Sequence, residues 1–127
     1  MHNNSGAFSF TGRIRSIRYA INGIAVMLQG QHNAWVHAIA SVCVIVAGFY
    51  FQVTSPEWCF LILAIVSVWC AEALNTSFEF LCDVASPDFH PLVEKSKDVA
   101  AGAVLITAIG AVIIGTIIFL PYTKAWL

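Results

Sequence analysis

Charge is what this 127-residue sequence has least of: Asp, Glu, Lys and Arg make up 10% of it, against 59% hydrophobic residues. A water-soluble domain typically carries about a quarter charged residues, so the shortage excludes one and points to a chain whose solvent is lipid. There is no basic face beyond a short N-terminal arginine cluster, and the net charge is −1, which sets nucleic acid aside as a partner. The four cysteines, Cys43, Cys59, Cys70 and Cys82, show no CxxC or other metal-type spacing and read as small packing residues within or at the ends of apolar runs. The glycines form no Walker A motif, no kinase-type loop and no GxGxxG, and the length excludes a soluble nucleotide-binding fold. Met1–Gly12 is polar and aromatic, not a basic start followed by an apolar run. No signal peptide is expected there, and the membrane spans themselves direct insertion.

What is present is helical apolar pattern, read as one all-α membrane domain over residues 1–127. From about residue 9 to 30, Ile14, Ile17, Ile21, Ile24 and Leu28 recur at three- and four-residue spacing while Arg13, Arg15, Arg18, Asn22 and Gln29 lie mostly off that stripe. This predicts an amphipathic helix lying on the membrane surface, its arginines against anionic headgroups or simply fixing topology. Gly30 to Asn33 forms a polar joint, and residues 34–51 make a first span, interrupted by His37, Ser41 and Gly48. His37 lies near an interface and takes no role on its own. Residues 52–57 supply a turn, Trp58 is a natural interfacial anchor, and the second span runs over about 58–82. The stretch 84–97, with two prolines and four charges, reads as a loop or broken surface segment. Residues 99–121 make a third span, in which Ala103, Thr107, Ala111 and Gly115 repeat every four residues as a helix-packing face. Arg13, Arg15, Arg18, Lys95 and Lys97 fall on one side and Lys124 on the other, so the N-terminus and second loop are expected to be cytoplasmic. A protomer this short encloses little, which makes oligomerisation an expectation before any motif is considered.

The anomaly in this apolar chain is Ala71–Asp83, AEALNTSFEFLCD. On a helix turning about 100° per residue, Glu72, Glu79 and Asp83 lie within roughly 20° of one line, flanked by Asn75 and Thr76. Ionisable groups in a span cost several kcal/mol, so they usually face a bundle interior or polar cavity and mark function. Counting from Trp58 at about 1.5 Å per residue puts Glu72 roughly 21 Å along and Glu79 roughly 32 Å, against a hydrocarbon core about 30 Å thick. Glu72 is thus just submerged and Glu79 at the surface.

Those depths suit a reaction between a lipid hydroxyl and a soluble reactant. With a nucleoside triphosphate as that reactant, Glu79 could hold Mg²⁺, which commonly takes one or two carboxylates plus phosphate oxygens and water. Glu72 could orient or deprotonate the hydroxyl, and Lys97 offers a point charge to phosphates. This is phosphoryl transfer by positioning and charge neutralisation. A proton or cation path in a small transporter, or a polar network at an oligomer interface, fits the same residues.

Glu72-Ala-Leu-Asn75-Thr76-Ser-Phe-Glu79-Phe-Leu-Cys-Asp83 resembles the E-x-x-N-[ST]-x-x-E-x-x-x-D signature of the small bacterial membrane lipid kinases, the diacylglycerol kinase and undecaprenol kinase family. The likeness continues through Ser86-Pro87, Phe89-His90-Pro91-Leu92 and Lys97-Asp98, and covers the chain from about Ile17 to Pro121. The resemblance implies a homotrimer of three-span protomers in the bacterial inner membrane, with composite sites, phosphorylating a lipid alcohol with ATP and Mg²⁺. It implies Glu72 as catalytic base, Asn75 as a positioning residue and Glu79 as a metal ligand. Lys97 and Asp98 would contact nucleotide, and Tyr19 would fall near it. The SPDFHPL and KDVAAGAVL stretches look more like undecaprenol kinases than the diacylglycerol-specific branch.

Two positions depart from the family's pattern. Gln31-His32-Asn33-Ala34-Trp35-Val36-His37 resembles its E-x-N-x-R-x-H segment, with Gln31 in place of glutamate and Trp35 in place of arginine. The glutamate is the family's second metal ligand; an amide oxygen at Gln31 still coordinates Mg²⁺ but neutralises none of its charge. Three readings follow: a working kinase with altered metal demand, a paralogue with a different acceptor or donor, or a degenerate member kept for assembly.

Overall fold

The computed structural model describes residues 9–125; residues 1–8, most of the stretch read for a signal peptide, lie outside them. Four helices follow one another, α1 (Phe10–Gly30), α2 (His32–Phe51), α3 (Ser55–Ala85) and α4 (Pro91–Lys124), with no strand among the described residues. The protein is all-α, and α2, α3 and α4 are each long and apolar enough to cross a membrane.

The helix ends differ from expectation wherever a proline or polar residue was read as a breaker. The four-residue joint after α1 is in fact one residue, Gln31, whose extended backbone (φ −120°, ψ 116°) ends α1 and opens α2. Pro56 does not make a turn but starts α3, where a missing N–H costs nothing. Pro91 does the same for α4, and His90 Nδ1 accepts from the Leu92 N–H at 3.2 Å. The expected 84–97 loop therefore shrinks to residues 86–90. At 1.5 Å per residue α3 is about 46 Å long and α4 about 51 Å, so both outrun a 30 Å hydrocarbon core.

α3 and α4 form the main antiparallel pair, and α2 runs back along α3. They close at one end. α2 terminates on Gln52 in the left-handed region (φ 54°), with Val53 N–H on the Gly48 carbonyl, which turns buried Val53 into a core with Leu61 and Ile118. Phe51 lies 6.0 Å from Phe119 and 5.8 Å from Tyr122 between ring centres. Glu57 Oε2 accepts from the Thr54 N–H (2.7 Å), the Thr54 hydroxyl (2.8 Å) and the Tyr122 hydroxyl (2.7 Å), tying the start of α3 to the end of α4. Trp58 is more than an interfacial anchor, since its indole covers Gly48 and stacks 4.9 Å from Phe49.

Elsewhere the chain turns its apolar side chains outward. Ile14, Ile17, Ile21 and Ile24 of α1 are all more than half exposed, as suits a helix laid against lipid, and Met27 alone of α1 is buried. A Cβ at Gly102, Gly110 or Gly115 would meet nothing within 4 Å, so no helix packs closely on these glycines within one chain, while Thr107, Ala111 and Gly115 of the expected packing face are half-buried. Of the cysteines only Cys82 is buried; Cys43, Cys59 and Cys70 face outward instead of filling a core.

A Cβ at Gly48 would lie 2.6 Å from Trp58 Cη2, so Gly48→Ala must displace a stacked indole. Overpacking of this kind costs about 1–3 kcal/mol. Gly48→Ala should lower the melting temperature of the detergent-solubilised protein by several degrees and shift tryptophan fluorescence, while Gly102→Ala, with open space, should do neither.

Candidate active site

The other end of the bundle is polar, and its residues come from three helices. α3 supplies Glu72 (1% exposed), Asn75 and Thr76, all buried in a span. Thr76 Oγ1 donates to the Glu72 backbone carbonyl one turn back (2.9 Å), which spends the threonine hydroxyl inside α3 and leaves the Glu72 side chain to others. Neither Glu72 carboxylate oxygen accepts a hydrogen bond, and Asn75 Oδ1 is likewise buried without a partner among the described residues. The group facing Glu72 is His37 of α2, with Nε2 3.5 Å from Oε2.

Gln31 reaches the same face from the α1–α2 corner. Its Nε2 donates to Glu79 Oε2 at 2.8 Å, and Asn75 Nδ2 donates to Glu79 Oε1 at 3.2 Å. Residues 48 apart in sequence thus converge on one half-buried carboxylate. Further along, Lys97 Nζ of α4 meets Asp83 Oδ1 at 2.5 Å and ties the two helices across their connection. Lys97 therefore engages a carboxylate in this state, not an open surface.

The register of α2 on α3 is set one turn below His37. Trp69 Nε1 donates to Ser41 Oγ (3.0 Å), and Ser41 Oγ donates to the His37 carbonyl (2.7 Å). A cavity of about 240 Å³ opens beside Glu72, lined by Asn33, His37 and Asn75 and by Val104, Leu105 and Ala108 of α4. It shares Val36, His37 and Ala108 with a second, about 560 Å³, that follows α2, α3 and α4 down to Phe119. The two make one apolar groove with a carboxylate at its head.

Tyr19 is exposed on α1, and Asp98 is exposed at the start of the α4 apolar run. Trp35 is 58% exposed. His37 was given no role from sequence, yet a signal for it exists. Gln31 to His37 is six residues along α2, and Glu79 to Glu72 is seven back along α3, so pairing the first two brings the second two level.

Among the described residues no three His, Cys, Asp or Glu groups gather as a metal cluster. The donors at Glu79 still fit Mg²⁺ that arrives on a polyphosphate: one carboxylate and the Gln31 amide oxygen, with phosphate oxygens and water completing the shell. They do not make a cage for a resident ion.

Three helices long and apolar enough to span a membrane, with one carboxylate buried between them and a second, half-buried, two turns further along α3, describe a helical membrane protein with a polar site inside its bundle. Residues 18–119 match the family described as Prokaryotic diacylglycerol kinase, and the chain belongs to that family of membrane lipid kinases. It is 36% identical over 107 residues to the undecaprenol kinase of Bacillus subtilis, a match spanning 84% of this chain and 87% of that one. It is also 36% identical over 107 residues to the diacylglycerol kinase of Synechocystis sp., covering 61% of that protein, and 37% identical over 68 residues to that of Helicobacter pylori (strain 26695), covering 52% of it.

Gln31 satisfies Glu79 by hydrogen bonding, so the pair is stable without a cation. Gln31→Glu would set two carboxylates side by side, a repulsion of about 1 kcal/mol at a partly exposed position. The variant should melt several degrees lower in EDTA and recover with millimolar Mg²⁺, whereas the parent protein should melt at the same temperature in both.

Proposed function

We propose that the protein transfers the γ-phosphoryl group of ATP to the hydroxyl of a membrane lipid alcohol, undecaprenol first and diacylglycerol next, at the cytoplasmic face of the bacterial inner membrane. The observation that carries this is Glu72: a fully buried carboxylate with no hydrogen bond, at the head of an apolar groove and about 10 Å of helix below Glu79. A lipid in the groove presents its hydroxyl at Glu72, and a nucleotide at the rim presents its phosphate at Glu79. The match to an undecaprenol kinase, which covers 87% of that protein against 61% of the Synechocystis diacylglycerol kinase, supports the order of acceptors.

In this reading the lipid oxygen forms a bond to the γ-phosphorus as the bond from that phosphorus to the β–γ bridging oxygen breaks, releasing ADP. Glu72 takes the hydroxyl proton. Asn75, already bonded to Glu79, holds the two halves of the site in register. Glu79 and Gln31 would hold Mg²⁺ together with the phosphates, and the chemistry it would supply there is neutralisation of charge on the transferring group. Lys97 and Asp98, at the start of α4, and Tyr19 of α1 contact the nucleotide, Lys97 by exchanging Asp83 for phosphate. The protomer is one unit of a homotrimer, its N-terminus cytoplasmic; the many exposed apolar side chains supply faces for neighbours and lipid.

Purified protein given MgATP and a panel of lipid alcohols should yield a lipid monophosphate, fastest with undecaprenol. Glu72→Gln should lower kcat by about 10²–10⁴-fold, the range of general-base catalysis. Gln31→Glu should lower the Mg²⁺ concentration for half-maximal rate. No phosphorylated lipid from any alcohol would sink the kinase reading and favour a transport or assembly role, and a fully active Glu72→Gln would remove the base.

A further inference from the structure

General-base catalysis by Glu72 leaves a proton on it at the end of each turnover, in a place with 1% exposure where neither carboxylate oxygen has a hydrogen bond among the described residues. Resting on that reading, we propose that His37 forms a dyad with Glu72, accepting the lipid-derived proton on Nε2 and returning it to solvent through the rim of the groove.

Three observations converge on His37. Its Nε2 lies 3.5 Å from Glu72 Oε2, within reach of a hydrogen bond once a substrate tightens the site. Its side chain is 15% exposed against 1% for Glu72, so it spans the step from sealed interior to rim. Its backbone is fixed by the Ser41 and Trp69 bonds, which hold the imidazole at the height of Glu72.

No competing group exists around the pair among the described residues. Of those lining the cavity, the ones from α4 are apolar, those from α2 besides His37 are Asn33 and Val36, and Asn75 of α3 cannot titrate. The nearer pocket of α1, against Ala73, Thr76 and Ser77, is likewise free of ionisable side chains. Glu79 lies two turns away and is engaged by Gln31 and Asn75. Imidazole is also the one side chain whose ordinary range lets it both accept and release a proton near neutrality. The step balances. The O–H bond of the lipid breaks as an O–H bond forms on Glu72; that proton then passes to His37 Nε2, restoring the carboxylate, and leaves from the imidazole to water.

Three measurements test this. His37→Gln keeps a hydrogen-bonding side chain but cannot carry a proton; it should lower kcat at least about tenfold with KM for MgATP unchanged, and remove one ionisation from the pH–kcat profile. In His37→Ala, millimolar imidazole should restore a substantial part of the lost rate. Independently of activity, ¹⁵N NMR of the histidine ring in micelles should show the His37 titration displaced by Glu72→Gln. Unchanged kcat and pH profile in His37→Gln, or no imidazole rescue, overturns the dyad. An inactive parent protein whose His37 titration still responds to Glu72→Gln would overturn the kinase reading and uphold the pair. An active one whose His37 titration ignores Glu72→Gln overturns the pair alone.

Discussion

The registration of α2 against α3 is the constraint on which the site depends. The helices run antiparallel, and contacts met in order along the chain from Gln31 through α2 are met in reverse order along α3: Gln31 meets Glu79, His37 meets Glu72, Ser41 meets Trp69 and Gly48 meets Trp58. A slip of one residue would turn each facing side chain by about 100° and separate all of these at once. Two devices hold the register. At the apolar end the Trp58 indole lies over Gly48, where a Cβ would meet the ring, and at mid-helix the Trp69 indole N–H donates to Ser41, the one serine or threonine of α2. A buried indole donor is costly to strand, so the second contact is directional where apolar packing is not.

The two ends of the bundle divide the work. At the closed end Val53, Leu61 and Ile118 and the rings around them supply packing, and Glu57 binds Thr54 and Tyr122 to lock α3 to α4. Away from that end, α2, α3 and α4 line the groove headed by Glu72. The lengths of α3 and α4 serve the same end: both exceed hydrocarbon thickness, and Lys97 meets Asp83 near the connection between them, about 16 Å of helix beyond buried Glu72.

Much of this was legible in the sequence because it is a property of single helices. The apolar runs, the amphipathic α1 and the acidic line on α3 each need only a local period and a rise per residue. Helix ends were less legible. Pro56 and Pro91 end a helix or begin one according to which side the chain approaches from, and both begin one here. Contacts between helices were least legible. Lys97 reads alone as a free cation for phosphate, and only the folded chain shows it on Asp83. His37 reads alone as an incidental polar residue, and its meaning comes from the helix opposite.

The departure at Gln31 takes on a definite physical sense in this arrangement. Two carboxylates converging on the α1–α2 corner would repel unless a cation sat between them, so a glutamate there would make the metal part of the resting structure. An amide removes that requirement: Nε2 donates to Glu79 and Asn75 donates to its other oxygen, leaving the carboxylate fully satisfied with no cation present. In the proposed reaction Mg²⁺ would have to displace these bonds, and would meet one negative charge where the family's pattern would provide two. The missing charge would then come from the nucleotide, whose phosphates carry several. On that reading the substitution would move the metal from the protein to the co-substrate, retaining oxygen donors suited to Mg²⁺ while making its capture conditional on the phosphate that it serves.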